Sequence, residues 1–125
     1  MRWLAIESYL SLARIGVVMK FGHLRSIHSL LGNQRLVEAK RQSGATVEQI
    51  CHAMDMACVF YPKKVLCLQR AAATTLVLRR HGWRAEMVIG TQMLPFRSHA
   101  WVELDGAVVN DKSYVKETYL PLERC

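Results

Sequence analysis

Apolar residues recur at helical spacing from the first residues of the chain. Trp3, Ile6, Leu10, Ala13 and Val17 are separated by 3, 4, 3 and 4 positions, which places them on one helical face and predicts that face as core. The same stripe also suits a docking face for a partner. Gly22 and Gly32 interrupt the pattern around a short apolar turn at 27–31, residues 35–40 resume it, and Ser43-Gly44 breaks it. A second helical run follows Thr46, with Ile50, Met54, Ala57 and Cys58 on its buried side and Glu48 close to, but not at, capping-box spacing. Pro62 ends it. Cys67 opens a third run, in which Leu68, Ala71, Ala72 and Leu76 share a face and His81-Gly82 supplies the stop.

After Gly82 the period changes. Residues 84–89 alternate loosely and hold the strand formers Met87, Val88 and Ile89, and residues 90–98, with Pro95, read as a loop. Residues 99–104 and 107–111 are two short strands around Asp105-Gly106, a hairpin signal. Residues 112–125 form a polar tail with Tyr114, Tyr119 and Leu120. Helices precede strands without regular βαβ alternation. The fold class is therefore α+β. The 125 residues suit one domain, 1–125, with a helical part at 1–45 and a core at 46–111.

Composition narrows the function classes. Hydrophobic residues make up 51% of the chain and charged residues 22%, which excludes a disordered protein. The net charge is +7, spread evenly: residues 1–62 hold 7 bases and 4 acids, residues 63–125 hold 10 and 6. With no basic tail and no aromatic–basic interleaving, a nucleic-acid partner is not expected. The longest stretch without Asp, Glu, Lys or Arg is 87–96, ten residues, half of what a membrane-spanning helix needs. Glu7 interrupts the first apolar run too early for a secretory signal. A cytoplasmic location with reduced thiols is expected, so Cys51, Cys58, Cys67 and Cys125 do not form a disulfide framework. Cys51-His52 with Cys58 lacks the ligand set and spacing of a zinc site.

Among the cysteines, position favours Cys67 for chemistry. A helix N-terminus favours negative charge, and an adjacent imidazole further lowers a thiol pKa from its usual value of about 8.5. The plain alternative is a small buried side chain. His99 opens the first hairpin strand and Asp111 closes the second. A two-residue turn at Asp105-Gly106 would place His99 opposite Lys112. A three-residue loop, 104–106, with Gly106 left-handed, places His99 opposite Asp111 on the same sheet face, and this register is the one expected here. A carboxylate there orients the imidazole, as in nucleophile–base–carboxylate sites. Trp101 shares that face and either walls the site or belongs to the core. Arg70, Arg79, Arg80, Arg84, Arg97, Lys63 and Lys64 surround these positions in sequence, either as solvated surface or as a rim for an acidic partner.

The runs Cys67-Leu68-Gln69-Arg70-Ala71, Gly82-Trp83-Arg84-Ala85, Val88-Ile89-Gly90, Ser98-His99-Ala100-Trp101-Val102-Glu103 and Val109-Asn110-Asp111 carry a resemblance over roughly 46–111. The chain resembles the transglutaminase-like cysteine peptidase of lasso-peptide biosynthesis. That family's catalytic cysteine, histidine and aspartate fall on Cys67, His99 and Asp111. The resemblance implies a papain-like or transglutaminase-like core, with the Cys67 helix packed on a small antiparallel sheet, and removal of the leader from a ribosomally made precursor peptide, with no cofactor and no metal. It further implies two partners, a separate leader-binding recognition protein and an ATP-dependent lasso cyclase, in the split arrangement of the pathway. The competing reading is an acyltransferase, of transglutaminase or amine-acetyltransferase type, that uses the same three residues with a different acceptor.

Overall fold

The computed structural model describes residues 2–21, 46–62, 64–93, 96–104, 106–110 and 119–124. The expectations for 22–45, for Pro95 and Asp105, for 111–118 and for Cys125 lie outside the described residues. Three described helices, α1 (Arg2–Phe21), α2 (Val47–Phe60) and α3 (Cys67–Arg80), precede strands β1 (Ala85–Met93), β2 (Phe96–Leu104), β3 (Ala107–Val108) and β4 (Leu120–Arg124). The strands form one antiparallel sheet in the order β3-β2-β1-β4. This is the expected α+β architecture. No described helix is long and apolar enough to cross a membrane.

Helix α3 lies between the sheet and the other two helices, and every residue from Ala71 to Leu78 is buried. Its N-cap, Leu66, makes no side-chain capping bond. A missing cap costs about 1 kcal/mol. Burial of Leu76, Val77 and Leu78, at about 1.5–3 kcal/mol each, outweighs that cost, so packing holds this helix and its first turn needs no cap. The far end is closed by the expected stop: Trp83 N–H donates to Leu78 C=O, Gly82 N–H donates to Arg79 C=O, and Gly82 has φ +87°. Helix α2 has a full capping box. Thr46 Oγ1 accepts from Gln49 N–H, and Gln49 Oε1 accepts from Thr46 N–H. Gln49, not Glu48, stands at the required third position.

The face of α1 that enters the core is not the predicted one. Leu4, Ser8, Ser11, Leu12 and Ile15 are buried, while Trp3 is 81% and Leu10 61% exposed, with Ile6 and Val17 also exposed. Two stripes at 3–4 spacing lie on nearly opposite sides of this helix. The two serines disguised the one that packs, because small side chains at a helix contact read as polar in a hydrophobic pattern.

Two strand expectations are also corrected. Residues 90–93 and 96–98 are strand and not loop: β1 and β2 pair from Ala85↔Leu104 to Met93↔Phe96, through Gly90↔His99. Gly90 reads as a break in sequence, yet an added Cβ there would lie 2.6 Å from Trp101 Cη2, so the glycine makes room for the indole. The polar tail also supplies a fourth strand, β4, whose Pro121 is tolerated because β4 is an edge.

The offset face of α1 has a direct test. Leu12→Ala should cost about 2–5 kcal/mol in urea unfolding, and Leu10→Gln should stay within about 0.5 kcal/mol of wild type. Equal costs would place both stripes in the core.

Candidate active site

Cys67 is the first residue of α3 and its side chain is exposed. The segment before it, Lys64–Leu66, has no regular structure, and Leu66 has β backbone angles, so the helix begins abruptly at the cysteine. That start is pinned two residues further on. Gln69, buried, donates from Nε2 to Leu12 C=O of α1 at 2.9 Å. Gly16 of α1 permits the approach, since a Cβ there would lie 2.9 Å from the Tyr61 hydroxyl and 3.0 Å from Gln69 Nε2.

The other cysteines have different surroundings. Cys51 is half-buried on α2 and donates from Sγ to Val109 C=O at 3.4 Å. Burial, reinforced by the Asp55 and Glu48 carboxylates and opposed by Arg70, pushes its thiol up to about 11. Burial also raises the Cys58 thiol. Both are held as neutral thiols at physiological pH.

His99 lies on β2 opposite Gly90. Its ring stacks against Trp101 (centroids 6.1 Å apart) and Tyr119 (5.3 Å). Strand alternation places His99, Trp101 and Glu103 on one face and Ala100 and Val102 on the other, which joins the core around α3. The turn from α3 into β1 is closed by the Arg79 Nε bond to Ala85 C=O at 2.9 Å. Alternation turns the His99 ring to the sheet face away from α3, the helix that carries Cys67, so the pairing of these two residues rests on the resemblance.

The register expected for Asp111 does not hold. Glu103 pairs with Val108 and Leu104 with Ala107, one position off the expected register, with Gly106 at φ +84° as foreseen. The ladder then ends early: Val109 N–H reaches Val102 C=O at 3.0 Å, but Val102 N–H donates to the Asn110 side chain at 2.8 Å. The side chain takes the ladder position and turns the chain out of the strand. Asp111 itself lies outside the described residues, and its assignment rests on the resemblance and not on register.

A network beside His99 was not visible in the sequence. Glu103 is buried and accepts from Trp101 Nε1 at 2.8 Å and from Arg124 Nη1 at 2.9 Å. Its carboxylate fixes the indole against which His99 stacks, and it ties β4 to β2. Trp101 is therefore both core and site wall. The only sequence signal was its period-2 spacing with His99 and Glu103. Several of the bases in the expected rim have local partners instead: Arg70 pairs with Asp55, Arg80 with Glu7, and Arg79 with the Ala85 carbonyl.

Alkylation tests the thiol assignments. At pH 8 a thiol with a pKa near 11 is ionised to about one part in a thousand. Iodoacetamide at that pH should modify Cys67 well before Cys51 or Cys58 in the Cys125→Ser chain, with Cys51 reacting only as pH approaches 11. Peptide mapping reads the order, and modification of Cys51 first would contradict it.

Comparison with known proteins follows the same lines. The profile of the Transglutaminase-like superfamily matches residues 11–124. The microcin J25-processing protein McjB of Escherichia coli is 37% identical over 51 residues, which is 41% of this chain and 24% of that protein. The match thus spans about a quarter of that relative's length. No solved structure matches. The helix that opens on a cysteine, the antiparallel sheet with its His99-Ala100-Trp101 strand, and a profile match over nearly the whole length have one conclusion: the chain belongs to the transglutaminase-like superfamily.

Proposed function

We propose that this chain is a cysteine peptidase that removes the leader from a lasso-peptide precursor, with Cys67 as nucleophile, His99 as base and acid, and Asp111 as the orienting carboxylate. The observation that supports the reading is the exposed Cys67 at the uncapped start of a buried helix, and the roles of His99 and Asp111 rest on the resemblance. The processing role named for the similar Escherichia coli protein supports the choice of substrate.

The chemistry runs in two stages. The Cys67 sulfur, having given its proton to His99, attacks the scissile carbonyl carbon. The backbone N–H of Cys67 and its neighbours in the first turn supply donors to the oxyanion. His99 returns the proton to the leaving amine, which becomes the N-terminus of the core peptide. Water, deprotonated by His99, then attacks the thioester carbon, and the leader leaves with a new carboxylate while the sulfur is regenerated. A leader-binding recognition protein delivers the precursor, and an ATP-dependent cyclase takes the freed core. An amine in place of water at the second stage would give the acyltransferase outcome.

Incubation with the precursor peptide and the leader-binding protein, read by mass, tests this. Wild type should release leader and core. Cys67→Ala should lose cleavage by at least about a thousandfold, since it removes the covalent route. Native-rate cleavage by Cys67→Ala contradicts the scheme, and an amide adduct on addition of a primary amine identifies the acyltransferase instead.

A further inference from the structure

A groove of about 680 Å³ opens beside the start of α3. The last turns of α1 form one wall, through Val17 and Lys20, and the connection from α2 to α3 forms the other, through Tyr61, Lys64 and Leu66. Gly16 lies at its base, where α1 comes closest to Tyr61 and Gln69. Its walls are mainly apolar. The two charged residues that line it, Lys20 and Lys64, are both positive. Leu66 is the residue immediately before Cys67, so the groove adjoins the proposed nucleophile.

We infer that this groove is the subsite for one flank of the peptide substrate, and that it selects a segment carrying apolar side chains next to acidic ones. A peptide whose carbonyl is attacked at Cys67 lies across the end of α3. On the side of the Lys64–Leu66 connection, its neighbouring residues meet this groove. The apolar walls take aliphatic side chains, and the two ammonium groups select carboxylates over cations. The inference rests on the peptidase reading for its location beside Cys67. It adds the chemical class of the substrate segment and names Lys64 and Lys20 as the residues that set it.

The test is binding, so it does not depend on turnover. Two fluorescein-labelled dodecapeptides, identical except for a central Leu-Asp-Glu-Leu or Leu-Lys-Lys-Leu, are titrated into the full chain bearing Cys67→Ala, followed by fluorescence anisotropy. The acidic peptide should bind up to about tenfold more tightly, the effect of two exposed charge contacts. Lys20→Glu with Lys64→Glu should invert the preference. Arg14→Glu with Arg84→Glu, which changes the net charge equally on exposed positions that do not line the groove, should keep it. Equal binding of the two peptides, no binding of either, a preference that survives the lysine reversal, or a preference lost equally in the arginine control overturns the inference. Failure of the peptidase reading shows separately, as precursor cleavage that persists in Cys67→Ala.

Discussion

Burial of α3 on all sides is the constraint on which the rest of this fold depends. Residues 71–78 contact the sheet on one side and α1 and α2 on the other, so the helix axis is fixed without help from its ends. Its first turn is thereby relieved of any capping duty. The backbone N–H groups at Leu66–Gln69 have no side-chain acceptor from an N-cap, and the first side chain, Cys67, faces solvent. A well-packed helix with an undefended N-terminus gathers partial positive charge at one exposed point, where an anionic sulfur or an oxyanion gains most. The Gln69–Leu12 bond and the missing side chain at Gly16 fix where that point lies relative to α1.

The opposite face of the sheet solves a different problem. A buried carboxylate is costly unless its oxygens are satisfied, and Glu103 has a donor on each: the Trp101 indole and the Arg124 guanidinium. The pair locks the indole in place, and His99 packs against both that indole and Tyr119, whose own rings meet at 6.3 Å. Gly90 belongs to the same device, because any side chain there would displace Trp101. Two layers of the fold thus position two chemically capable groups by unrelated means: helix burial for the thiol, and an aromatic stack braced by an ion pair for the imidazole.

Local signals in the sequence were reliable where one residue type dictates one backbone state. The start of α3 at Cys67, its stop at His81-Gly82, the left-handed Gly106 and the α+β order all follow from such signals. The reading failed where neighbours decide. The buried face of α1 depends on close packing at Ser8 and Ser11, which no hydrophobicity scale rewards. The strand through Gly90 depends on a tryptophan eleven positions away, and the β2–β3 register on a ladder that Asn110 cuts short. Cys67 was legible as a candidate because it begins a helix, whereas His99, read as the first residue of its strand, is the fourth residue of β2. The Glu103–Arg124 brace was not, because β4 reads as a polar tail until it is paired with β1.

The central proposal is that the Cys67 thiol and the His99 imidazole act as one unit. The direct measurement is the rate of Cys67 alkylation at pH 7 in wild type and in His99→Ala, with folding of both chains confirmed by near-ultraviolet circular dichroism. A thiol that shares its proton with an adjacent imidazole reacts at least about tenfold faster than the same thiol without it. The account predicts that loss of rate in His99→Ala; identical rates in two equally folded chains would contradict it.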